Sequence, residues 1–279
     1  MSYLIADSGS TKTEWRLEGK DSSKTIFTEG LNPYYHTVQS IRDVLKLYLL
    51  PEIENEKPTG IYFYGAGCDH KNKNKILHDA LQCCFPDSSI EIQHDLLAAA
   101  RACFLNEPGI ACILGTGSNS CLYDGQKIVE HIPSLAFILG DEGSAGYFGK
   151  KLINKYFRDE LPRNLKQALE ATHNMDLSHI MEGAYDSAQK SRFIASYASF
   201  LGSHKNDPYI KDMLHTGFKN FITCIVKKYT DASSYEVRFV GSVAHAHETL
   251  ITQILHDEGL KKGFFIQNPL ERLVDYHNS

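Results

Sequence analysis

Two short loops carry the densest set of phosphate-compatible groups in the chain: Ser8-Gly9-Ser10-Thr11-Lys12, followed by Thr13, and Gly115-Thr116-Gly117-Ser118-Asn119. Backbone N–H groups beside glycines can approach a phosphate closely, and Ser and Thr hydroxyls add donors. Lys12 adds a point charge. Neither loop fits the G-x-x-x-x-G-K-[ST] pattern, and neither fits G-x-G-x-x-G. Each lies between two strand-like segments, so a phosphate would rest on hairpin loops. Two ordinary surface hairpins are the competing reading.

Three further places bear on chemistry. Asp95 stands at the end of a strand-like run and the start of a helical one. There it is either a helix N-cap or a carboxylate at the carboxyl edge of a sheet, able to take a proton from an alcohol attacking a phosphoryl group. Gly140-Asp141-Glu142-Gly143-Ser144 sets two carboxylates between glycines, suited to sugar hydroxyls, to a cation's water shell, or to the dipole of the next helix. Gly241-Ser242 follows a buried strand and makes a tight turn that a flat group could approach.

Composition narrows the partners. Of 279 residues, 42% are hydrophobic and 23% charged, ordinary for a folded globular chain. Lys and Arg number 29 against 34 Asp and Glu, a net charge of -5. No basic field exists to hold nucleic acid or an anionic membrane. The apolar opening Tyr3-Leu4-Ile5-Ala6 stops at Asp7, too short for a signal-peptide core, and no run reaches membrane-spanning length. The expected location is the cytoplasm. Seven cysteines without a C-x-x-C pair read as buried small hydrophobes. His245 and His247 read as two positions of an amphipathic helix rather than a zinc site.

The elements that position these residues follow a repeated order. Ser2–Asp7, Thr13–Glu18 and Lys24–Glu29 predict an antiparallel meander. A helix over Tyr34–Leu50 follows, then a buried strand over Gly60–Gly65. A helix over Asn74–Phe85, a strand over Ser89–His94 and a helix over Leu96–Leu105 complete the first half. After Asn106-Glu107-Pro108-Gly109 the pattern restarts, with strands at Ile110–Leu114, Ser120–Tyr123 and Lys127–His131. Residues 144–229 are mostly helical. Glu236–Val240 is a strand, Val243–Asp257 a helix, Phe264–Ile266 a last strand, and Pro269 opens a terminal helix. The expected domains are 1–107 and 108–279.

With these pieces in order, the sequence resembles the N-acetylglucosamine kinase and BadF-type ATPase family of the sugar kinase, Hsp70 and actin superfamily. The carriers are Asp7 to Thr13, Gly30-Leu31-Asn32-Pro33, His94 to Ala99, Ile113 to Asn119, Leu139 to Ala145, Phe239 to Ala244 and Asn268 to Glu271. The resemblance implies an α/β fold of two ribonuclease-H-like, actin-like ATPase domains with an interdomain active-site cleft, and ATP with Mg²⁺. By position it implies Gly9, Ser10, Thr11, Lys12 and Thr13 as the first phosphate loop. Gly115, Thr116, Gly117 and Ser118 match the second, and Gly241 with Ser242 the adenosine loop. Asp7 would hold Mg²⁺ through water. Asp95 would be the general base and touch the sugar, alongside Asn32 and Asp141.

The implied activity is phosphorylation of an amino sugar, N-acetylglucosamine to its 6-phosphate first among them. Glucosamine and N-acetylmuramic acid stay open as acceptors, because Pro133-Ser134-Leu135-Ala136-Phe137 stands where sugar-binding members often carry a Gly-Gly-Trp-Gly run. A BadF-type conformational switch is the alternative from another class. It would need soft cysteine ligands, for which Cys68 or the Cys83-Cys84 pair are the candidates. A homodimer is expected from the resemblance alone.

Overall fold

The computed structural model describes residues 2–9, 12–19, 23–53, 56–187 and 189–278. The chain divides into two compact units, residues 1–105 with 269–279, and residues 106–268.

The first unit opens with strands β1 (Tyr3–Ser8), β2 (Lys12–Glu18) and β3 (Ser23–Glu29) as the expected antiparallel meander. Helix α1 (Val38–Val44) starts at a capping box in which Thr37 and Ser40 satisfy each other's backbone N–H groups. A single helix over 34–50 was expected. Instead the chain widens into a π-helical turn at Leu45–Leu49 before α2 (Leu50–Ile53). Pro51 explains this, since it has no N–H and crowds the carbonyl of the preceding turn. Strand β4 (Gly60–Gly65), helix α3 (Lys71–Cys84), strand β5 (Ser89–His94) and helix α4 (Asp95–Phe104) follow.

The first sheet runs β3-β2-β1-β4-β5. Strand β1 pairs with β4 and β4 with β5, all parallel. Leu4, Ile5 and Ala6 are wholly buried, as a central strand covered on both faces requires. In β2, Trp15 and Leu17 point inward between half-buried neighbours, so this strand shows the alternation of a sheet with one wetter face.

The second unit contains β6 (Gly109–Leu114), β7 (Ser118–Tyr123), β8 (Ile128–Glu130), α5 (Ala136–Leu139), α6 (Ala145–Phe157), α7 (Arg163–Thr172) and α8 (Leu177–Met181). Then come α9 (Lys190–Ser196), α10 (Ser199–Ser203), α11 (Pro208–Cys224), β9 (Glu236–Val240), α12 (Ser242–Ala246), α13 (Glu248–Asp257) and β10 (Lys261–Ile266). Its sheet runs β10-β9-β6-β7-β8. Read from the other side, that is the order of the first sheet, so the repeat seen in the loops extends to the whole strand topology.

One expected helix over 243–257 is two, because φ turns to −119° at His247 between α12 and α13. The His247 ring packs on Phe218 with centroids 5.4 Å apart, and burial lowers its pKa.

The last helix, α14 (Leu270–Asn278), belongs with the first unit, whereas the sequence division placed it in the second. Arg272 Nε donates to the carbonyl of Ala102 at 3.1 Å. The His277 ring stacks on Tyr62 at 3.7 Å between centroids, and its Nε2 lies 2.9 Å from the Tyr64 hydroxyl. These long-range contacts, and not local sequence, decide where the terminal helix lies.

Candidate functional site

In the first sheet, register brings the acidic residues to one edge. Ser8 of β1 pairs with Gly65 of β4, and Gly65 with His94 of β5. Asp7 stands one residue before this row and Asp95 one residue after it. The carboxyl ends of parallel strands are where open α/β sheets gather ligands.

Asp7 feels the charge of Asp95. The Asp7 carboxyl is pushed up to about 7, first by burial and then by the negative charge of Asp95 and Glu14, while Lys12 pulls it down. Asp95 opens α4, and its Oδ1 is buried without a well-aligned hydrogen bond among the described residues. A hydrated divalent cation fits this place, because its charge would offset the burial and the repulsion that together hold Asp7 up. No cluster of three His, Cys, Asp or Glu side chains exists among the described residues to cage an ion. A magnesium ion does not need one, since it keeps several waters and takes substrate phosphate oxygens.

The first loop is closed by Gly9 N–H donating to the Lys12 carbonyl at 3.0 Å. Ser10 and Thr11 lie outside the described residues. Lys12 is exposed, with Nζ 3.5 Å from Glu14 and 5.3 Å from the Phe27 ring centroid. Thr13 differs from the simple expectation of a phosphate donor. It is fully buried, its hydroxyl lies 2.8 Å from that of Ser8, and it donates to the Glu29 carbonyl at 2.9 Å. Ser8 Oγ in turn accepts the Leu31 N–H at 3.0 Å. These hydroxyls tie β1, β2 and the Gly30–Asn32 segment together and set the hairpin, and with its backbone paired between β1 and β3 Thr13 is a structural residue rather than a phosphate donor.

Asn32 ends that segment and opens the turn over 33–35, its carbonyl accepting the Tyr35 N–H at 3.0 Å. Its Oδ1 accepts the Tyr34 N–H at 2.9 Å, so its Nδ2 is the group left to donate to a ligand. Gly67, at φ +80°, passes so close that a Cβ there would meet Asn32 Oδ1 at 2.5 Å. The glycine keeps room for the amide.

The second loop joins β6 to β7. Gly115 N–H bonds the Gly117 carbonyl at 2.9 Å, which puts Thr116 at an exposed tip. The first N–H groups of α6 clasp the loop from behind, Ala145 to the Gly115 carbonyl at 2.9 Å and Gly146 to the Thr116 carbonyl at 3.0 Å. Ser118 is buried, and its Oγ has no hydrogen-bond partner among the described residues. A buried hydroxyl in that state is poised for a ligand or a water.

Asp141 joins this loop. Its backbone is left-handed at φ 59°, and its N–H donates to the Ser134 carbonyl at 3.1 Å. Its side chain is buried, which pushes the carboxyl up to about 6, partly offset by the Ser118 N–H. Gly241 lies beside the same loop at φ +120°, and its N–H donates to the Ile266 carbonyl at 2.9 Å. A Cβ at Gly241 would overlap the Leu114 carbonyl. Ser242 starts α12 next to it.

The glycines fall into two kinds. Gly117 and Gly241 are required by protein atoms around them. Among the described residues, Gly9 has only a loose neighbour at 3.8 Å, and Gly115 has nothing within 4 Å. Open space over two glycines of phosphate-type loops is a cradle that a Cβ would fill, and it fits the phosphates of a nucleotide.

His94 is the residue whose part sequence reasoning did not assign. Its ring caps α4 and contacts Asp95. Histidine is an uncommon N-cap, and that oddity was the available signal.

No family model matches the chain, and no curated protein matches it. Solved structures do. A candidate N-acetylglucosamine kinase from Porphyromonas gingivalis is 35% identical over 99% of this chain and 98% of its own, with a TM-score of 0.93. A second candidate N-acetylglucosamine kinase, from Chromobacterium violaceum, is 14% identical over 99% of this chain and 98% of its own, with a TM-score of 0.77. A ROK-family glucokinase from Streptomyces griseus, solved with glucose and AMPPNP, is 15% identical over 100% of this chain and 98% of its own, with a TM-score of 0.59. The last two show the fold alone. The first, with the two repeated five-stranded sheets, shows that the chain belongs to the N-acetylglucosamine kinase family of ATP-dependent sugar kinases, within the sugar kinase, Hsp70 and actin superfamily.

Proposed function

We propose that the protein transfers the γ-phosphoryl group of ATP to the 6-hydroxyl of N-acetylglucosamine, with Asp95 as general base. The observation that carries this reading is the placement of Asp7 and Asp95 at the carboxyl edge of the first sheet, on either side of one row of paired residues. Asp95 takes the hydroxyl proton as the oxygen attacks phosphorus. Asn32, through Nδ2, and Asp141 hold sugar hydroxyls.

Gly9, Ser10, Thr11 and Lys12 receive phosphate in the first loop, with Thr13 setting the hairpin behind them, and Gly115, Thr116, Gly117 and Ser118 receive it in the second. Gly241 and Ser242 receive the adenosine. Asp7 holds magnesium through water, and the ion, when bound, neutralises charge on the transferring phosphoryl oxygens. Most of the binding comes from backbone N–H groups, so an acidic chain can hold an anionic nucleotide.

The conformational-switch reading finds less support. Cys68 is buried, and burial followed by the charges of Asp95 and Asp69 pushes its thiol up to about 12, far from a thiolate ligand. Cys83 and Cys84 are adjacent on α3, where neighbours face different directions.

The test is ADP release from Mg-ATP with N-acetylglucosamine, glucosamine, N-acetylmuramic acid, N-acetylmannosamine, glucose or no sugar. Release that depends on N-acetylglucosamine supports the reading. Release dependent on another sugar moves the substrate, and release without sugar favours the switch.

A further inference from the structure

The Asn32 amide and the Tyr34 ring converge on Gly67. A Cβ built on Gly67 would lie 2.5 Å from Asn32 Oδ1 and 2.9 Å from Tyr34 Cδ2, so the amide and the ring edge stand around one point. The Tyr34 backbone fixes the amide, through its N–H on Oδ1 at 2.9 Å. The ring is fixed as well. Its hydroxyl donates to Asp69 Oδ1 at 3.2 Å. Lys73 Nζ lies 4.4 Å from the ring centroid and donates to the Pro33 carbonyl at 3.4 Å.

Tyr34 is nevertheless 47% exposed. Lys73 covers one face, Gly67 lies against an edge and Asp69 holds the hydroxyl, so the surface left open is the other face. Holding an exposed tyrosine still costs side-chain entropy, and a ring with no ligand to meet gains little from it. A pyranose has hydroxyls at its rim and C–H groups on its face. The Asn32 Nδ2 can serve the first, and an aromatic face meets the second through dispersion and its negative quadrupole.

We propose that the Tyr34 ring is a wall of the sugar site, its open face packed on the C–H face of the pyranose that Asn32 binds through Nδ2. The inference rests on the reading of Asn32 as a sugar ligand and adds to it a residue of the turn that Asn32 opens. Asp69 and Lys73 fix the ring before the sugar arrives, so binding does not carry the cost of ordering it. Asp69 also places the wall on the side of the proposed base, since its charge acts on His94, the cap residue directly before Asp95.

Steady-state kinetics on wild type, Tyr34→Ala, Tyr34→Phe and Tyr35→Ala test this, with N-acetylglucosamine and Mg-ATP each varied at saturation of the other. Tyr35, the neighbouring ring, is 76% exposed and serves as the control. For Tyr34→Ala the expected result is a KM for the sugar raised by about 5- to 30-fold, with the KM for ATP and the thermal midpoint near wild type. Tyr34→Phe keeps the face and loses one exposed hydrogen bond, so its KM for the sugar should rise by no more than about 3-fold. A wild-type KM for the sugar in Tyr34→Ala would overturn the inference alone, as would an equal rise in Tyr35→Ala. A wild-type enzyme indifferent to every sugar would remove the reading of Asn32, and the wall with it.

A second measurement reads the contact without turnover. In saturation-transfer NMR, irradiating the aromatic protons of the wild-type protein should carry saturation to the ring C–H protons of N-acetylglucosamine. Tyr34→Leu, which keeps bulk beside Gly67 without an aromatic face, should lose most of that transfer. Undiminished transfer in Tyr34→Leu would put a different ring on the sugar and contradict the proposal.

Discussion

The carboxylate of Asp141 fills the space beside Gly117: a Cβ built on Gly117 would lie 2.9 Å from Asp141 Oδ2. The Ser118 N–H also bonds this carboxyl. The residue proposed to hold the sugar and the loop proposed to hold phosphate thus share one packed unit. Gly117→Ala must push Asp141 aside. The expected outcome is a loss of about 1–3 kcal/mol in stability, as for other overpacked sites, with lower kcat/KM for both substrates. Gly115→Ala is the contrast, since no described residue lies within 4 Å of that position. It should leave the thermal midpoint unchanged and weaken ATP binding alone, measured by nucleotide titration.

Asp141 should also set a pH dependence of stability. Its carboxyl is held up to about 6 by burial, against 3.8 for the ordinary group. Between these values the folded state binds more protons than the unfolded state, so stability falls as pH rises through the window. Above it the buried charge costs about 1–3 kcal/mol. Asp141→Asn removes the charge and keeps an acceptor for Ser118. Chemical denaturation at pH 7 should show a gain in stability, accompanied by lost sugar phosphorylation. A variant no more stable than wild type at pH 7 contradicts this.

Gly241 should be intolerant of any side chain. Its φ of +120° is a conformation L-residues rarely adopt, and a Cβ would overlap the Leu114 carbonyl at the end of β6. The Leu114 oxygen is backbone and a Cβ is fixed by its own backbone, so no rotamer change relieves the clash. Gly241→Ala is expected to destabilise by more than about 2 kcal/mol and to abolish nucleotide binding. Thermal melts with and without ATP provide the check.

The terminal helix carries its own acid sensitivity. Burial and the charge of Arg101 hold His277 down to about 4, and its neutral Nε2 accepts from the Tyr64 hydroxyl. Arg101 Nη1 donates to the same hydroxyl at 2.6 Å. As pH falls below 6.5 the unfolded chain takes up this proton first, so stability is lost down to about 4 and is flat below. The full effect is about 2–3 kcal/mol. His277→Phe keeps an aromatic ring on Tyr62 and should flatten the stability profile over that range. An unchanged profile would show that another group governs it.

Several elements were legible because local pattern decides them. Gly60–Gly65, Ser89–His94 and Glu236–Val240 are apolar or alternating runs, and each has the bounds the sequence predicts. The repeated strand–loop–strand unit was legible too, because both copies put a Gly/Ser/Thr loop between strands. Long-range packing was not. Nothing near Arg272 signals that it will reach Ala102, and nothing in the Thr13 neighbourhood signals that Glu29 will take its hydroxyl. Asp141 was placed with the sugar, but its contact with Gly117 depends on a left-handed backbone that only the folded chain shows. The wide turn at Leu45–Leu49 was foreshadowed by Pro51, although helical spacing alone concealed it.

The central claim is that Asp95 takes the proton of a sugar hydroxyl in phosphoryl transfer from ATP. The most direct measurement is phosphorus NMR of the product formed from Mg-ATP and N-acetylglucosamine by wild type and by Asp95→Asn, with thermal midpoints recorded for both. The account predicts a phosphate ester at the 6-hydroxyl in the wild-type reaction. It predicts a rate lower by about 10²- to 10⁴-fold in the variant at an unchanged midpoint. An equally rapid 6-phosphate from Asp95→Asn would contradict it.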